Sequence, residues 1–440
     1  MRILLVATYE LGQQPGAIGS ATTFLRTRGD DVRTLDVSVD SWDPTFVDWA
    51  DEVAFSVPMH TATRLARDLA RGIDKPVRAF GLYAEQCHDF AAPVEWPIDD
   101  LVPARDLLPP LDRYARLEIH DEQRLVGSVL ATHGCAHRCR HCPVPVVFDG
   151  RVRRVDEDAV LADIEQLVAA GARHITFGDP DFLNAPPHSR RIVAALHERF
   201  PAVTFDCTVK VEHIVRNGGL RHADLWPELA AAGCVFVVSA FESVDDAVLE
   251  RLDKGHTTED AARAVQILRD AGIEVRPSWL PFTPWTTRAD VVALLDFVYD
   301  HDLVGSVDPV QYGVRLLLPE GSLLLGHPDL APHLGPWDPE RSTYTWSSPD
   351  PAVDALQQRI AAIVAASEVD GATSKGADDP IELYARVRAA AGAAPVDLSR
   401  VTTGRPRLTE TWFCCAEPTD LQLSRHTKVG APGDSSEGCC

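Results

Sequence analysis

Three cysteines lie close together in one segment of the chain. Cys135, Cys139 and Cys142 have the spacing Cys-x3-Cys-x2-Cys, and Pro143 follows them. This spacing in a loop lets three thiolates converge on one cluster, whereas a cubane iron–sulfur cluster usually takes four. Three thiolates leave one iron with an open position, as in catalytic metal sites, and a ligand with an amine and a carboxylate can chelate that iron. The loop therefore predicts a 4Fe–4S cluster with one exchangeable position.

A zinc knuckle is the alternative for the same loop. Zinc takes four ligands, and His133, His137 or His141 could supply the fourth. With a cluster instead, these histidines and the neighbouring Arg138 and Arg140 would offset cluster charge or contact a substrate.

The elements before this loop predict a separate α/β domain. Strands are expected at residues 2–7, 31–35, 52–56 and 77–82, with helices near 21–28 and 61–71. Such alternation is typical of a parallel, doubly wound sheet, here a Rossmann-like domain over residues 1–92. Ligands of these sheets bind at the carboxyl ends of the strands.

The elements around and after the loop predict a partial barrel. Residues 93–126 are rich in proline and are interpreted as a linker. Six strands, each near a helix, are expected at residues 128–132, 174–177, 204–209, 235–240, 274–280 and 310–317. This pattern predicts a partial (β/α)6 TIM barrel over residues 127–325, with catalytic groups at the carboxyl ends of its strands. Residues 326–425 are expected to form a C-terminal extension, and residues 426–440 a flexible tail.

Composition limits the classes of partner. The chain has 440 residues, with 42 Lys and Arg against 65 Asp and Glu, a net charge of −23. Nucleic acids and anionic membranes need a cationic surface, so neither is expected as a partner. No export signal is recognised at the start, so a cytoplasmic protein without a disulfide framework is predicted.

The three-cysteine loop after the first barrel strand resembles that of the radical S-adenosylmethionine (radical SAM) superfamily. There the open iron binds the methionine part of SAM and passes it an electron, which breaks a carbon–sulfur bond. The resemblance implies a 4Fe–4S cluster held by Cys135, Cys139 and Cys142, with SAM as the second cofactor. It also implies a small-molecule substrate and a reductase, flavodoxin or ferredoxin as electron donor.

The same resemblance assigns SAM contacts to other strand ends. Gly178 and Asp179 end the second strand, where the superfamily has a Gly-Gly-Glu-like segment that binds the SAM amino group. This chain keeps only a glycine and a shorter acid. Glu242 and Ser243 end the fourth strand and resemble the acidic segment that contacts the SAM ribose.

Two basic residues complete the predicted SAM site. Arg276 on the fifth strand could pair with the SAM carboxylate, because a guanidinium forks onto a carboxylate. Lys210, at the end of the third strand, is a further polar contact. For both residues, an ordinary ion pair with a barrel acid is the alternative.

The N-terminal unit resembles the cobalamin-binding domain that precedes some radical SAM barrels. Residues 56–61 look like the second loop of that domain. Its lower-ligand signature, Asp-x-His-x-x-Gly, is absent after the first strand, where residues 8–12 read Thr-Tyr-Glu-Leu-Gly. Bound cobalamin and a vestigial or substrate-holding domain therefore both remain open.

The C-terminal region carries a further signature. Residues 411–418 read Thr-Trp-Phe-Cys-Cys-Ala-Glu-Pro, which is similar to the tail of the CUAEP/CCAEP-tail radical SAM proteins. The resemblance implies that Cys414 and Cys415 take part in catalysis by holding a soft element such as arsenic, by acting as a nucleophile or by redox cycling, and a buried or redox-inert pair is the alternative. Cys439 and Cys440 could deliver a metalloid or electrons to them, or be incidental.

Together these features predict a transferase-type radical SAM enzyme that modifies a small substrate, with bond formation to a soft element such as arsenic as one outcome. A cobalamin-dependent radical SAM methyltransferase acting on carbon is the alternative. A metalloid or redox sensor without enzymatic activity is the third hypothesis.

Overall fold

The structure, a computed structural model, describes residues 1–216, 218–373 and 380–410, and the side chains of residues 368–373 are left out of the description. Within these residues the chain divides after Tyr114 into two compact units. Each unit is described by itself.

The first unit has a parallel sheet of four strands in the order β2-β1-β3-β4. Its strands are β1 (Arg2–Ala7), β2 (Asp31–Asp36), β3 (Glu52–Ser56) and β4 (Val77–Phe80), and its helices are α1 (Gly16–Thr27), α2 (Pro44–Trp49) and α3 (His60–Ala70).

Both faces of this sheet are buried, because side chains alternate along each strand. Ile3 and Leu5 of β1 pack against the apolar side of α1. Leu4 and Val6 point to the opposite face, where they join a cluster that includes residues of α2 and α3. The unit is therefore doubly wound, as the sequence predicts.

The proline-rich segment that follows β4 packs against the first unit. Trp96 and Leu108 belong to the cluster beneath α1. A Cβ atom at Gly19 of α1 would lie 2.7 Å from the Cβ of Pro103, so this close approach requires glycine. The hydroxyl of Tyr114 donates a hydrogen bond to Asp36 at 2.7 Å.

The second unit is built on a sheet of seven strands in the order β14-β13-β10-β9-β6-β5-β17. The run from β6 to β14 is parallel, and β5 pairs antiparallel with both β6 and β17. The strands of this unit are β5 (Arg116–Ile119), β6 (Glu122–Val129), β7 (Thr132–Gly134), β8 (Val152–Arg154), β9 (His174–Phe177), β10 (Thr204–Thr208), β11 (Val215–Arg216), β12 (Gly219–Leu220), β13 (Cys234–Glu242), β14 (Glu274–Trp279), β15 (Leu334–Asp338), β16 (Thr343–Trp346) and β17 (Arg407–Leu408).

Helices connect the parallel strands of the second unit, and two further helices, α12 and α13, follow in its C-terminal part. They are α4 (Val144–Phe148), α5 (Glu157–Ala169), α6 (Pro186–Arg199), α7 (Val211–Ile214), α8 (Leu225–Ala231), α9 (Asp246–Leu252), α10 (Thr258–Asp270), α11 (Arg288–Asp300), α12 (Pro351–Thr373) and α13 (Pro380–Ala391). The predicted fold class, a Rossmann-like unit followed by a partial TIM barrel, is confirmed.

Two predicted details are wrong. The sixth barrel strand, expected at residues 310–317, is not a ladder strand: Pro309–Tyr312 is a 3-10 helix, and only Arg315 forms a single bridge, with Phe282. The leucines of this segment are still buried, which explains its apolar sequence. Residues 116–125, expected to be linker, form the β5–β6 hairpin through a turn in which His120 and Asp121 both have positive φ.

Among the described residues, no helix combines the length and the apolar character needed to cross a bilayer.

Candidate active site

The three predicted cluster ligands lie in the loop between β7 and α4. Gly134, the residue before Cys135, has a φ of +81°, and a Cβ atom there would lie 2.3 Å from the carbonyl oxygen of Arg151, so only glycine fits. Cys135 and Cys139 are buried, Cys142 is half-buried, and all three are free thiols. Burial raises the pKa of Cys135 to about 11, so a metal must displace its proton on binding.

The cysteines do not converge on a single-ion site. A single ion needs at least three ligand atoms close together. Within the described parts of the chain, the His, Cys, Asp and Glu side chains that bring three ligand atoms within 4.8 Å of one another are His137, Asp181 and His213. No cysteine belongs to this group. A zinc knuckle would bring its sulfurs to one ion, whereas the ligands of a cubane bind separate irons. The wider spacing favours the cluster.

Two contacts hold the loop in place. The amide of Asn184 clamps its beginning: Oδ1 accepts from the Ala136 N–H at 2.9 Å, and Nδ2 donates to the Gly134 carbonyl at 3.2 Å. Arg140 fixes the other half, because its N–H donates to the Leu252 carbonyl at 2.9 Å and its guanidinium donates to two more carbonyls at the end of α9. Asn184 follows β9, and the carbonyls that Arg140 contacts end the helix that follows β13.

Asp179 lies fully buried just after β9. Its carboxylate accepts hydrogen bonds from the Ala131 N–H at 3.0 Å and the Thr132 hydroxyl at 2.6 Å. Burial raises the pKa of Asp179 to about 6, although these bonds act in the opposite direction. The neighbouring Gly178 N–H donates to Val129 at 2.9 Å. Both residues thus tie β9 to the chain that enters the loop, and their contact with SAM stays a prediction.

Glu242 forms a buried ionic cluster at the end of β13. It has a φ of +65°. Its Oε1 accepts from Lys254 Nζ at 3.1 Å and lies 3.2 Å from His141 Nε2. Burial opposes its charge, but Lys254 and His141 outweigh burial and lower the pKa of Glu242 to about 2. Lys254 also interacts electrostatically with Cys139 and Cys142, so this buried cation lies beside the loop.

A second buried ion pair lies at the end of β10. Lys210 Nζ donates to Glu212 Oε2 at 2.7 Å, and the charge of Lys210 also acts on Cys135. Glu212 Oε2 lies 3.4 Å from His137 Nδ1. Burial, followed by the charge of Lys210, lowers the pKa of His137 to about 4. Two buried lysines, Lys210 and Lys254, therefore face the three-cysteine loop.

The remaining predicted SAM contacts already have partners in the protein. The guanidinium of Arg276 pairs with Asp308 and donates to the Pro406 carbonyl at 3.0 Å. This is the ion pair that the sequence left open as the alternative. Ser243 Oγ accepts from the Asp245 N–H at 3.0 Å, close to the start of α9. A contact of either residue with SAM stays a prediction.

Four side chains of this region were not predicted from the sequence. Lys254 and His256 follow α9, and His256 Nε2 lies 3.3 Å from the Phe241 carbonyl. Asp181 follows β9, and His213 lies in α7 after β10. A signal for all four existed, since each is a polar residue that follows a predicted barrel strand. Cys414, Cys415, Cys439 and Cys440 lie outside the described residues.

The first unit gathers buried polar groups where its strands end. Ser56 Oγ donates to Glu10 Oε1 at 3.1 Å. Burial, followed by the nearby charge of Asp36, raises the pKa of Glu10 to about 8. Thr61, in the first turn of α3, has a buried hydroxyl with no hydrogen-bond partner among the described residues. This edge could therefore hold a polar ligand.

Sequence comparison relates the second unit to known proteins. Residues 129–298 match the family described as the Radical SAM superfamily. A putative methylthiotransferase of Methanocaldococcus jannaschii is 26% identical over 198 residues, which is 42% of each chain. The present chain therefore spans less than half the length of this curated relative.

Solved structures extend the likeness beyond the matched domain. The cobalamin-dependent SAM radical enzyme OxsB, with aqua-cobalamin and SAM bound, is 13% identical with a TM-score of 0.67, and the match covers 89% of this chain and 71% of that one. The radical SAM methyltransferase TsrM of Kitasatospora setae, with cobalamin and a 4Fe–4S cluster bound, is 19% identical with a TM-score of 0.53, over 70% and 74% of the two chains. At these identities the likeness establishes the fold.

Proposed function

We propose, from the premise that residues 129–298 form a radical SAM domain, that this protein is a cobalamin-dependent radical SAM methyltransferase acting on a small substrate. The observation that carries the proposal is the buried three-cysteine loop, placed beside two buried lysines at the carboxyl edge of a partial barrel. The cobalamin bound to OxsB and TsrM, and the transfer reactions for which TsrM and the M. jannaschii relative are named, support it.

The loop supplies ligands and charge for the cluster. A cluster and SAM, when bound, provide the one-electron chemistry that breaks a carbon–sulfur bond. Cys135, Cys139 and Cys142 would hold the cluster, because thiolate is its usual ligand. Lys210 and Lys254 place positive charge near these sulfurs, which favours adding an electron to an anionic centre. Cys135 and Cys139 are buried, which limits the access of water to their sulfurs.

The first unit fits a corrinoid at its carboxyl edge. Thr61 offers a buried hydroxyl that no described residue uses, and α3 begins beside it with no side-chain cap on its N–H groups. These donors suit the amide and phosphate oxygens of a corrinoid. When bound, the corrinoid supplies a carrier for the methyl group. Glu10 and Ser56 are hydrogen-bonded to each other at this edge. Residues 8–12 after β1, where the cobalamin lower-ligand signature would stand, contain no histidine.

A soft-element substrate held by Cys414 and Cys415 is the second candidate function. The direction of the last described strand, β17, supports it. β17 is antiparallel to β5, and β5 is antiparallel to β6, so β17 runs parallel to β6. The chain therefore heads toward the carboxyl edge of the sheet as it approaches the tail. Adjacent thiolates are good ligands for soft ions.

The test is anaerobic reconstitution with iron, sulfide and hydroxocobalamin, followed by incubation with a reductant and SAM carrying a deuterated methyl group. We expect about four irons per chain, corrinoid absorbance that survives desalting, and transfer of the deuterated methyl group to a candidate substrate found by mass spectrometry. Cys139→Ala should lose the cluster and all SAM cleavage. Cys87→Ala, which removes a buried thiol of the first unit, should retain both.

Each part of the proposal can fail separately. A full complement of iron in Cys139→Ala would disprove the ligand assignment. Cluster and SAM cleavage without any retained corrinoid would leave the radical SAM domain standing and remove cobalamin from the proposal.

A further inference from the structure

Three side chains beside the cluster loop meet at one point. His137 lies between Cys135 and Cys139, Asp181 follows β9, and His213 is in α7 after β10. The two histidine Nε2 atoms are 3.1 Å apart. Asp181 Oδ2 lies 2.9 Å from His213 Nε2 and 3.5 Å from His137 Nε2. Two imidazoles and one carboxylate therefore face a common centre.

These separations are close to those of ligand atoms around one ion. Zinc binds imidazole nitrogen and carboxylate oxygen at about 2.0–2.2 Å, which places neighbouring ligand atoms of a tetrahedral site about 3.3–3.6 Å apart. A hydrogen bond between the two histidine Nε2 atoms also accounts for their separation, but it leaves Asp181 Oδ2 without a donor in the described part of the chain. Asp181 is fully buried, and its Oδ1 accepts the Leu183 N–H at 3.2 Å, but its Oδ2 accepts no hydrogen bond from the described residues despite both nearby nitrogens.

The surroundings orient the ligands as in known metal sites. Glu212 Oε2 lies 3.4 Å from His137 Nδ1, so a carboxylate faces the nitrogen that would not bind the ion. This carboxylate–histidine pairing is the usual outer shell of a metal-bound histidine. Lys210 neutralises Glu212 at 2.7 Å, so Asp181 provides the net negative charge at the centre.

We infer that His137, Asp181 and His213 form a mononuclear site for a divalent transition-metal ion such as Zn²⁺, separate from the iron–sulfur cluster. Three protein ligands leave a position open, as in catalytic rather than structural zinc sites. An anionic oxygen or sulfur of the substrate can occupy that position, next to the loop that holds the cluster. The site requires neither cobalamin nor methyl transfer, so it goes beyond the proposed function.

The test uses the full-length enzyme with its cluster reconstituted. One equivalent of Zn²⁺ is added anaerobically, unbound metal is removed by desalting, and zinc, iron and sulfide are quantified. We expect about one zinc per chain with iron and sulfide unchanged. Zinc K-edge X-ray absorption should show a first shell of nitrogen and oxygen at about 2.0–2.1 Å, without the sulfur shell at about 2.3 Å that cysteine ligands would give.

Variants identify the ligands. His213→Ala should lower zinc affinity by at least about 100-fold while retaining the cluster. Asp181→Asn keeps the side-chain volume and should also weaken binding, which covers the case in which His213→Ala folds poorly. His222→Ala is the matched control, because its ring lies 6.2 Å from that of His213 but outside the triad. A sulfur shell, no zinc retained by the parent, or equal affinity in parent and His213→Ala would overturn the inference.

Discussion

Two pairs of opposite charges are buried beside the cluster loop. Glu242 at the end of β13 meets Lys254 after α9, and Lys210 after β10 meets Glu212 at the start of α7. A lone buried charge is costly, whereas a paired one is tolerated. The pairs therefore hold cations near the cysteines without leaving either cation unsatisfied.

Glu242→Gln should destabilise the protein strongly. The substitution leaves Lys254 buried and without its anionic partner, and breaking a buried pair in this way costs about 3–5 kcal/mol. The double variant Glu242→Gln/Lys254→Met removes both charges and should recover most of that loss. Urea unfolding of the parent and the single and double variants gives the coupling. A loss below about 1 kcal/mol in Glu242→Gln would show that the pair does not stabilise the fold.

Glu10 should make the first unit less stable as the pH rises. Its folded-state pKa of about 8 lies above the ordinary 4.5, mainly because of burial. The unfolded chain therefore releases this proton first, and stability falls between about pH 5 and pH 8, by about 1.4 kcal/mol per pH unit for one proton.

Glu10→Gln mimics the protonated acid and should flatten this decline. Glu95→Gln, at an exposed position, should leave it unchanged. Urea midpoints measured at pH 5, 6.5 and 8 test the comparison. Identical slopes in the parent and in Glu10→Gln would mean that this carboxyl is ionised in the folded protein.

At the scale of elements, the cluster loop is expected to depend on Asn184. Asn184→Ala leaves the Ala136 N–H and the Gly134 carbonyl without this partner, so the loop should open more often. We expect iron loss to a chelator to become several-fold faster. The control Thr287→Ala removes the capping box of α11, costs about 1 kcal/mol, and touches no part of the loop. Equal acceleration in both variants would attribute the effect to general stability.

Elements with strong local signals could be predicted from the sequence. The predicted strands at residues 2–7, 52–56 and 174–177 have the bounds found in the structure, because each is a short apolar run that alternates with helical segments. The strand predicted at residues 310–317 was wrong because an apolar run indicates burial and does not distinguish a strand from a buried irregular segment. The β5–β6 hairpin was missed because neighbouring prolines favoured a linker.

The site could be predicted only where spacing along the chain carries the chemistry. The three cysteines are close in sequence, so their convergence follows from one loop. The triad of His137, Asp181 and His213 draws its residues from two loops and the helix α7, and only the register of parallel strands brings them together. The ion-pair partners of Arg276 and Glu242 likewise depend on which side chains the fold brings next to them. A single sequence does not contain that information.

At the scale of the whole molecule, the direction of the last described residues bears on the role of the tail cysteines. Arg407 and Leu408 of β17 pair with β5, and the Thr409 N–H donates to the Arg116 carbonyl, so the last described residues run toward the edge where the cluster loop lies.

If Cys414 and Cys415 act on the substrate at that edge, Cys414→Ser/Cys415→Ser should leave SAM cleavage intact and abolish product. Hydroxyls replace thiols of similar size but bind soft ions poorly and do not cycle between redox states. The measurement is product formed per 5′-deoxyadenosine or S-adenosylhomocysteine released, with Cys439→Ser/Cys440→Ser as the matched control. An unchanged ratio in the Cys414/Cys415 variant would exclude the tail from the chemistry and leave transfer to the barrel and the first unit alone.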